Sequence, residues 1–168
     1  RIDEADIESI KQAHLLLAAF NAWQPGVFGL SGWDLCGMLT LDRRQVEPLL
    51  ATGDTRWIHR SAYDLMDYQP HALQSGSQMP RGRSLYGSLP AQLADPDSFV
   101  SRLSEILRVR RRYRIDIADQ VDVPQVSQRA MLVMVHALAE SERRQVTVLN
   151  FSDEPISCNV LSEQLAAG

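Results

Sequence analysis

The sequence is poor in several residue types that would announce a function. Its 168 residues include only two cysteines, one lysine (Lys11) and 7% aromatics. Cys36 and Cys158 have no CxxC spacing, which excludes a zinc site or a disulfide framework and makes a reducing, cytoplasmic compartment the default. No uninterrupted apolar run is longer than Leu15 to Phe20, far short of the ~20 residues that span a bilayer. The opening Arg1-Ile2-Asp3-Glu4 has no Met, basic n-region or apolar h-region, so no signal peptide is visible and the chain reads as a piece of something longer. A net charge of −4 argues against a general phosphate-binding surface, so neither nucleic acid nor membrane is expected as a partner. GxSxG, HExxH, P-loop and GxGxxG motifs are all missing. The four histidines, His14, His59, His71 and His136, share no ligand spacing. No catalytic residue, metal site or cofactor is therefore expected within the chain.

What is present is a foldable apolar fraction, 45% of residues, enough for one domain or two small ones. A helix is predicted from about Asp3 to Trp23. Asp3, Glu4 and Asp6 favour its positive end, and Ile7, Ile10, His14 and Leu17 fall at helical spacing. Gln24-Pro25-Gly26 stops it. Val27-Phe28-Gly29-Leu30 then reads as a short buried parallel strand, so the opening segment is an αβ unit of an α/β fold. From Ser31 to about Pro96 the chain is irregular and rich in Gly, Pro, Asp and aromatic residues, with one short helix expected around Asp42 to Ala51. A connection this long is functional or a small subdomain.

Asp95-Pro96-Asp97 is expected to open an amphipathic helix with Phe99, Leu103, Ile106, Leu107 and Arg110 on one face. The run Arg108-Val109-Arg110-Arg111-Arg112-Tyr113-Arg114 tempts a nucleic-acid reading, but cations there complement the negative helix end. Beyond Tyr113 the pattern becomes β. Gln120 to Val123, Met131 to His136, Gln145 to Phe151 and Ile156 to Leu161 are predicted strands, with Glu140 to Arg144 as a hairpin loop. His14 and His136 read as packed, hydrogen-bonded core residues. Two domains follow, 1–113 and 114–168.

This order, with particular residues in it, resembles the C-terminal end of the α-amylase family of glycoside hydrolases. Leu15 to Asp34 is similar to that family's seventh barrel helix and eighth strand. Pro25-Gly26 is kept, while Gly32-Trp33-Asp34 stands where a Gly-Asp-Glu is usual. The helix around Phe99 to Arg110 resembles the family's eighth helix, and Gln145 to Ser152 its strand ending in Asn-Phe-Ser. Three stretches are similar, more narrowly, to bacterial trehalose synthases (maltose α-D-glucosyltransferases): Gln24 to Leu35, Gly53 to Ile58, and Leu85 to Pro90. The fold implied is the last αβα segment of a (β/α)8 barrel followed by a small antiparallel β-sandwich.

The resemblance implies a retaining enzyme, with two carboxyl groups ~5–5.5 Å apart around the scissile bond. A trehalose synthase breaks maltose, holds a glucosyl-enzyme and rejoins glucose through its anomeric oxygen. The family's catalytic carboxylates would all precede Arg1, so this piece alone is expected to be inert. Barrel sites lie at the C-terminal ends of strands, which makes Trp33 and Asp34 candidates for the sugar-binding rim; alternatively, Trp33 packs under the loop and Asp34 caps it. Arg56 and Trp57 are further substrate-binding candidates. The expected partners are an α-glucoside (maltose or trehalose) in the parent, and either the rest of the barrel or a second copy through Asp3 to Asp34. A reading from another class is a non-catalytic carbohydrate-binding or interaction module. It would be favoured by a row of exposed aromatics, but the predicted strands supply only Phe151.

Overall fold

A computed structural model describes residues 2–139 and 141–166. It is a mixed α/β chain, with helices first and small antiparallel sheets at the C-terminal end. No barrel is formed by the described residues. None of their helices is long and apolar enough to cross a membrane. Two compact units emerge from the packing. The first comprises residues 1–11 and 30–102, the second residues 12–29 and 103–168.

Helix α1 spans Glu4–Ala22, close to the predicted range, with Glu4 and Asp6 in its first turn. The division between units falls within it. After it, the expected strand is not there. Val27 to Leu30 has no strand pairing, and Val27 is fully exposed. A strand buried on both faces needs hydrogen-bonding neighbours on both sides, and nothing in the described chain pairs with this segment.

The first unit contains α2 (Gly32–Cys36), α3 (Glu47–Leu50), α4 (Leu89–Ala94) and the first turn of α5 (Phe99–Arg112). The predicted helix at Asp42 to Ala51 divides into a 3-10 turn at Arg43–Gln45 and the short α3, with Pro48 in the first turn of α3. Helix α5 begins four residues later than Asp95. The Asp95 carboxylate instead accepts the Asp97 N–H at 2.9 Å within the preceding turn, and Ser98 Oγ accepts the Ser101 N–H at 3.2 Å. Hydroxyl capping of an orphan N–H thus replaces the expected carboxylate cap. Buried apolar side chains here are Cys36, Leu41, Val46 and Phe99, and the Phe99 ring stacks on Tyr86 with centroids 5.0 Å apart.

The second unit carries the sheets. Strands β1 (Asp119–Asp122), β3 (Met131–Ala137) and β4 (Arg144–Asn150) form an antiparallel sheet in the order β1-β3-β4, and β2 (Gln125–Val126) pairs with β5 (Val160–Leu161). The predicted last strand shrinks to the two residues of β5, and a short α6 (Glu163–Ala166) follows. Register pairs Leu132 with Leu149, Met134 with Thr147 and His136 with Gln145, which puts these six on one face. On the other face central-strand Val133 and Val135 are buried while their edge-strand partners Val148 and Val146 are exposed. Each fully buried valine contributes ~1.5–3 kcal/mol. Ile115, Ala118 and Leu138 form a further cluster on which Trp23 packs.

The arginine run ends α5, as the macrodipole reading requires, and several of its members are engaged within the unit. Arg110 is buried and donates to the carbonyls of Ala22, Gln24 and Gly26. Arg108 pairs with Glu105 and Arg114 with Asp116, each at 3.6 Å. His136 is fully buried as predicted, but neither ring nitrogen has a hydrogen-bond partner. Burial lowers its pKa and keeps it neutral.

Candidate functional site

Ser31-Gly32-Trp33-Asp34 has the spacing of a capping box, and it forms one. Ser31 Oγ accepts the Asp34 N–H at 3.3 Å, while Asp34 Oδ2 accepts the Ser31 N–H at 3.1 Å and the Ser31 hydroxyl at 2.7 Å. Gly37 closes α2 in the left-handed region (φ 59°) that a side chain resists. A Cβ on Gly37 would also enter the Tyr86 ring, and one on Gly32 would meet the Tyr63 hydroxyl. Asp34 therefore caps its helix through Oδ2, while Oδ1 has no hydrogen-bond partner among the described residues. Its charge reaches Tyr86, whose phenol is pushed up to about 12, first by burial and then by Asp34.

Trp33 is partly buried. Its indole N–H donates to the Ser61 carbonyl at 2.8 Å, and its ring lies 5.3 Å from that of Tyr63. The other sequence candidates lie in the 3-10 turn Thr55–His59. Asp54 caps that turn by accepting the Arg56 N–H at 3.0 Å and grips the Arg56 guanidinium at 2.8 and 3.0 Å. The guanidinium and backbone N–H of Arg56 hold the Asp54 carboxyl well below the usual range. Arg60 adds a bond to Asp54 at 3.2 Å and lies 4.8 Å over the Trp57 ring. No hydrogen bond or ring contact joins Arg56 and Trp57 to Trp33 and Asp34 among the described residues.

Tyr63, the neighbour of Trp33, opens onto a cavity of about 280 Å³ whose walls also include Asp64, Arg81, Ser84 and Ser88. Neither Trp33 nor Asp34 is part of its wall. The Asp64 carboxylate accepts the Gln69 and Tyr68 N–H groups, and these bonds, Gln69 first, lower its pKa. An anchored anion of this kind accepts hydrogen bonds but makes a poor proton donor near neutrality. Arg81 is anchored in the same way, through Nη1 to the carbonyls of Gln69, Pro70 and Ala72. Phenol, carboxylate, guanidinium and hydroxyl on one concave surface suit a ligand bearing several hydroxyl groups. Cys36 lines the same cavity, and burial raises its thiol pKa, which leaves it an unreactive thiol. Among the described residues no three His, Cys, Asp or Glu side chains come together as metal ligands.

Sequence reasoning singled out Trp33 and Asp34 and did not foresee the cavity at Tyr63. Tyr63, Asp64 and Arg81 belong to no motif, and only the irregular loop assembles them. It also missed Gln92, a buried amide that joins three segments. Gln92 Nε2 donates to Leu35 O at 2.8 Å and Gly87 O at 3.2 Å, and its Oε1 accepts the Val100 N–H at 3.2 Å. A glutamine on a six-residue helix gives no periodic signal. No protein-family model, curated protein or solved structure matches the chain.

Proposed function

We propose that the chain is the C-terminal part of a retaining α-glucan-active enzyme of the α-amylase family, a trehalose synthase that interconverts maltose and trehalose by glucosyl transfer. In this reading the helical segment completes a (β/α)8 barrel supplied by preceding residues, and the sheets form its C-terminal β domain. The carrying observation is that the first and third of the stretches resembling trehalose synthases, far apart in sequence, are tied together, while the second bonds to the segment between them. Leu35, from the first, and Gly87, from the third, share the Gln92 amide. Leu85 and Tyr86 donate to Gly37 O and Cys36 O at 3.0 Å, and Leu41 donates to Ile58 O, in the second stretch, at 2.8 Å. Residues that serve one site in a parent enzyme are expected to be linked in this way. Asp34 then acts twice, with Oδ2 fixing α2 and Oδ1 free for a sugar hydroxyl.

The test is made in the full-length enzyme. Asp34→Asn should lower kcat/KM on maltose more than tenfold. Ser31→Ala, which removes the capping hydroxyl and leaves the carboxylate, should lower the melting temperature with a smaller kinetic effect. Equal kinetic losses in both variants would make Asp34 a cap only. The chain alone should neither isomerise maltose nor hydrolyse α-glucosides.

A further inference from the structure

Strand β4 lies at one edge of its sheet, paired with β3 alone. Leu138 N–H donates to Arg143 O at 3.1 Å and Phe151 N–H to Ala130 O at 2.8 Å, so Arg143 and Phe151 belong to hydrogen-bonded pairs of the hairpin. Such pairs alternate along an antiparallel ladder. Gln145, Thr147 and Leu149 therefore turn their N–H and C=O groups to β3, while Arg144, Val146, Val148 and Asn150 turn theirs away from it. No other backbone bond reaches those four among the described residues. Sheets guard such an edge with charge or a bulge. The opposite edge is guarded in both ways, since β1 has a register shift between Gln120 and Asp122 and carries Asp119 and Asp122. Strand β4 instead runs regularly through seven residues, has no charge after Arg144, and exposes Val146 and Val148 on one face.

The first half of β4 also borders a cavity of about 420 Å³, whose walls include Val109 and Tyr113. All of Arg143 to Thr147 line it, although successive residues of a strand face opposite sides of a sheet. The cavity thus runs along the open edge rather than beneath one face. Arg143 and Arg144 are exposed there without an ion-pair partner among the described residues, and Arg112 lies 5.4 Å over the Tyr113 ring. A chain of net charge −4 gathers three guanidinium groups at this place.

We propose that this edge accepts an extended segment of another protein, added as a fourth strand, with apolar residues at alternate positions and acidic residues beside Arg143 and Arg144. Main-chain bonds to the four outward residues hold it, one row of its side chains meets Val146 and Val148, and its carboxylates meet the guanidinium groups. A second copy fits less well, because β4 itself carries no carboxylate to offer these arginines. The proposal does not depend on the function proposed above. The probe is an acetylated nine-residue peptide of alternating valine and threonine ending in two glutamates, added to the chain and followed by amide exchange in NMR. The amides of Arg144, Val146, Val148 and Asn150 should exchange at least tenfold more slowly, while those of Gln145, Thr147 and Leu149, already bonded to β3, stay unchanged. The same peptide ending in two lysines should bind at least tenfold more weakly, and Arg143→Glu with Arg144→Glu should reverse that preference. Val148→Pro should abolish binding and keep the fold, because its N–H points outward and an edge strand tolerates proline there; circular dichroism checks the fold. Slowing that is absent or does not follow the alternation, or equal affinity for the two peptides, overturns the proposal. So does protection of the four amides without peptide: lost on dilution, it assigns the edge to a second copy, and found only in a longer parent, to preceding residues.

Discussion

In residues 30–102 side chains grip backbone. Gln92 holds Leu35 and Gly87, Ser84 Oγ donates to Cys36 O at 2.7 Å, Trp33 holds Ser61, and Arg81 holds three carbonyls. In the second unit a cross-strand apolar register does the corresponding work, with Val133, Met134, Val135 and Leu149 buried on paired strands. The first arrangement fixes irregular backbone where no ladder is available, at the cost of depending on a few polar side chains. The second spreads its stability over many interchangeable methyl groups. One residue breaks the pattern. Arg110 is a polar clamp in the apolar unit, and it holds the end of α1 together with the Gln24 amide, which donates to Phe20 O at 2.8 Å.

Arg110→Met should therefore have the largest effect. It leaves three carbonyls short of a donor, each costing ~1–3 kcal/mol where buried, so a loss of about 3 kcal/mol or more is expected in urea unfolding. Gln92→Leu comes next, at about 2 kcal/mol. Its signature in amide exchange should be faster exchange in residues 30–102 while β3 and β4 keep their protection. Gly37→Ala should cost about 1–2 kcal/mol from the left-handed backbone, plus whatever shift Tyr86 must make, and thermal melting reads it.

The two units should also differ in pH response. His136 has a pKa depressed by burial, so its contribution is full above the unfolded value of 6.5 and is lost as pH falls through the folded one. Tyr86 has a raised pKa, so its contribution is full below the unfolded value of 10.0 and is lost as pH rises towards about 12. Acid should loosen the sheet unit first and alkali the loop unit. His136→Leu should flatten the acid limb and Tyr86→Phe the alkaline limb, both followed by pH-dependent exchange. These are the smallest of the expected effects.

The same contrast explains what was legible in the sequence. Strands β3 and β4 and the apolar face of α5 announce themselves because the apolar pattern and burial coincide there. Helix α1 is legible from its acidic start and its Pro-Gly stop, although Ile10 and Leu17 of its predicted face are exposed and Ala18, Ala19 and Ala22 are buried instead. Val27 to Leu30 has the composition of a buried strand, but strand formation needs partners that composition does not contain. The start of α5 was misplaced because Asp95 caps as well in a turn as in a helix. At the candidate site Asp34 was legible as a candidate cap, but its partner Ser31 was not singled out. Arg81 and Gln92 act through backbone carbonyls up to 57 residues away, and Tyr63 meets Trp33 across 30 residues, relations that no local pattern encodes. His136 looked like a hydrogen-bonded core residue because sequence shows burial more readily than it shows hydrogen-bond partners.

The central claim is that this chain completes an enzyme which moves a glucosyl unit with retention. Proton NMR of the full-length protein incubated with maltose tests it most directly, since the anomeric signals of maltose, trehalose and glucose are resolved. The account predicts that maltose signals fall as the α,α-linked trehalose signal rises, and that the same mixture is reached from trehalose. Full-length protein that leaves both disaccharides unchanged, or turnover by the purified chain alone that disappears when one of its own carboxylates is replaced, would contradict it.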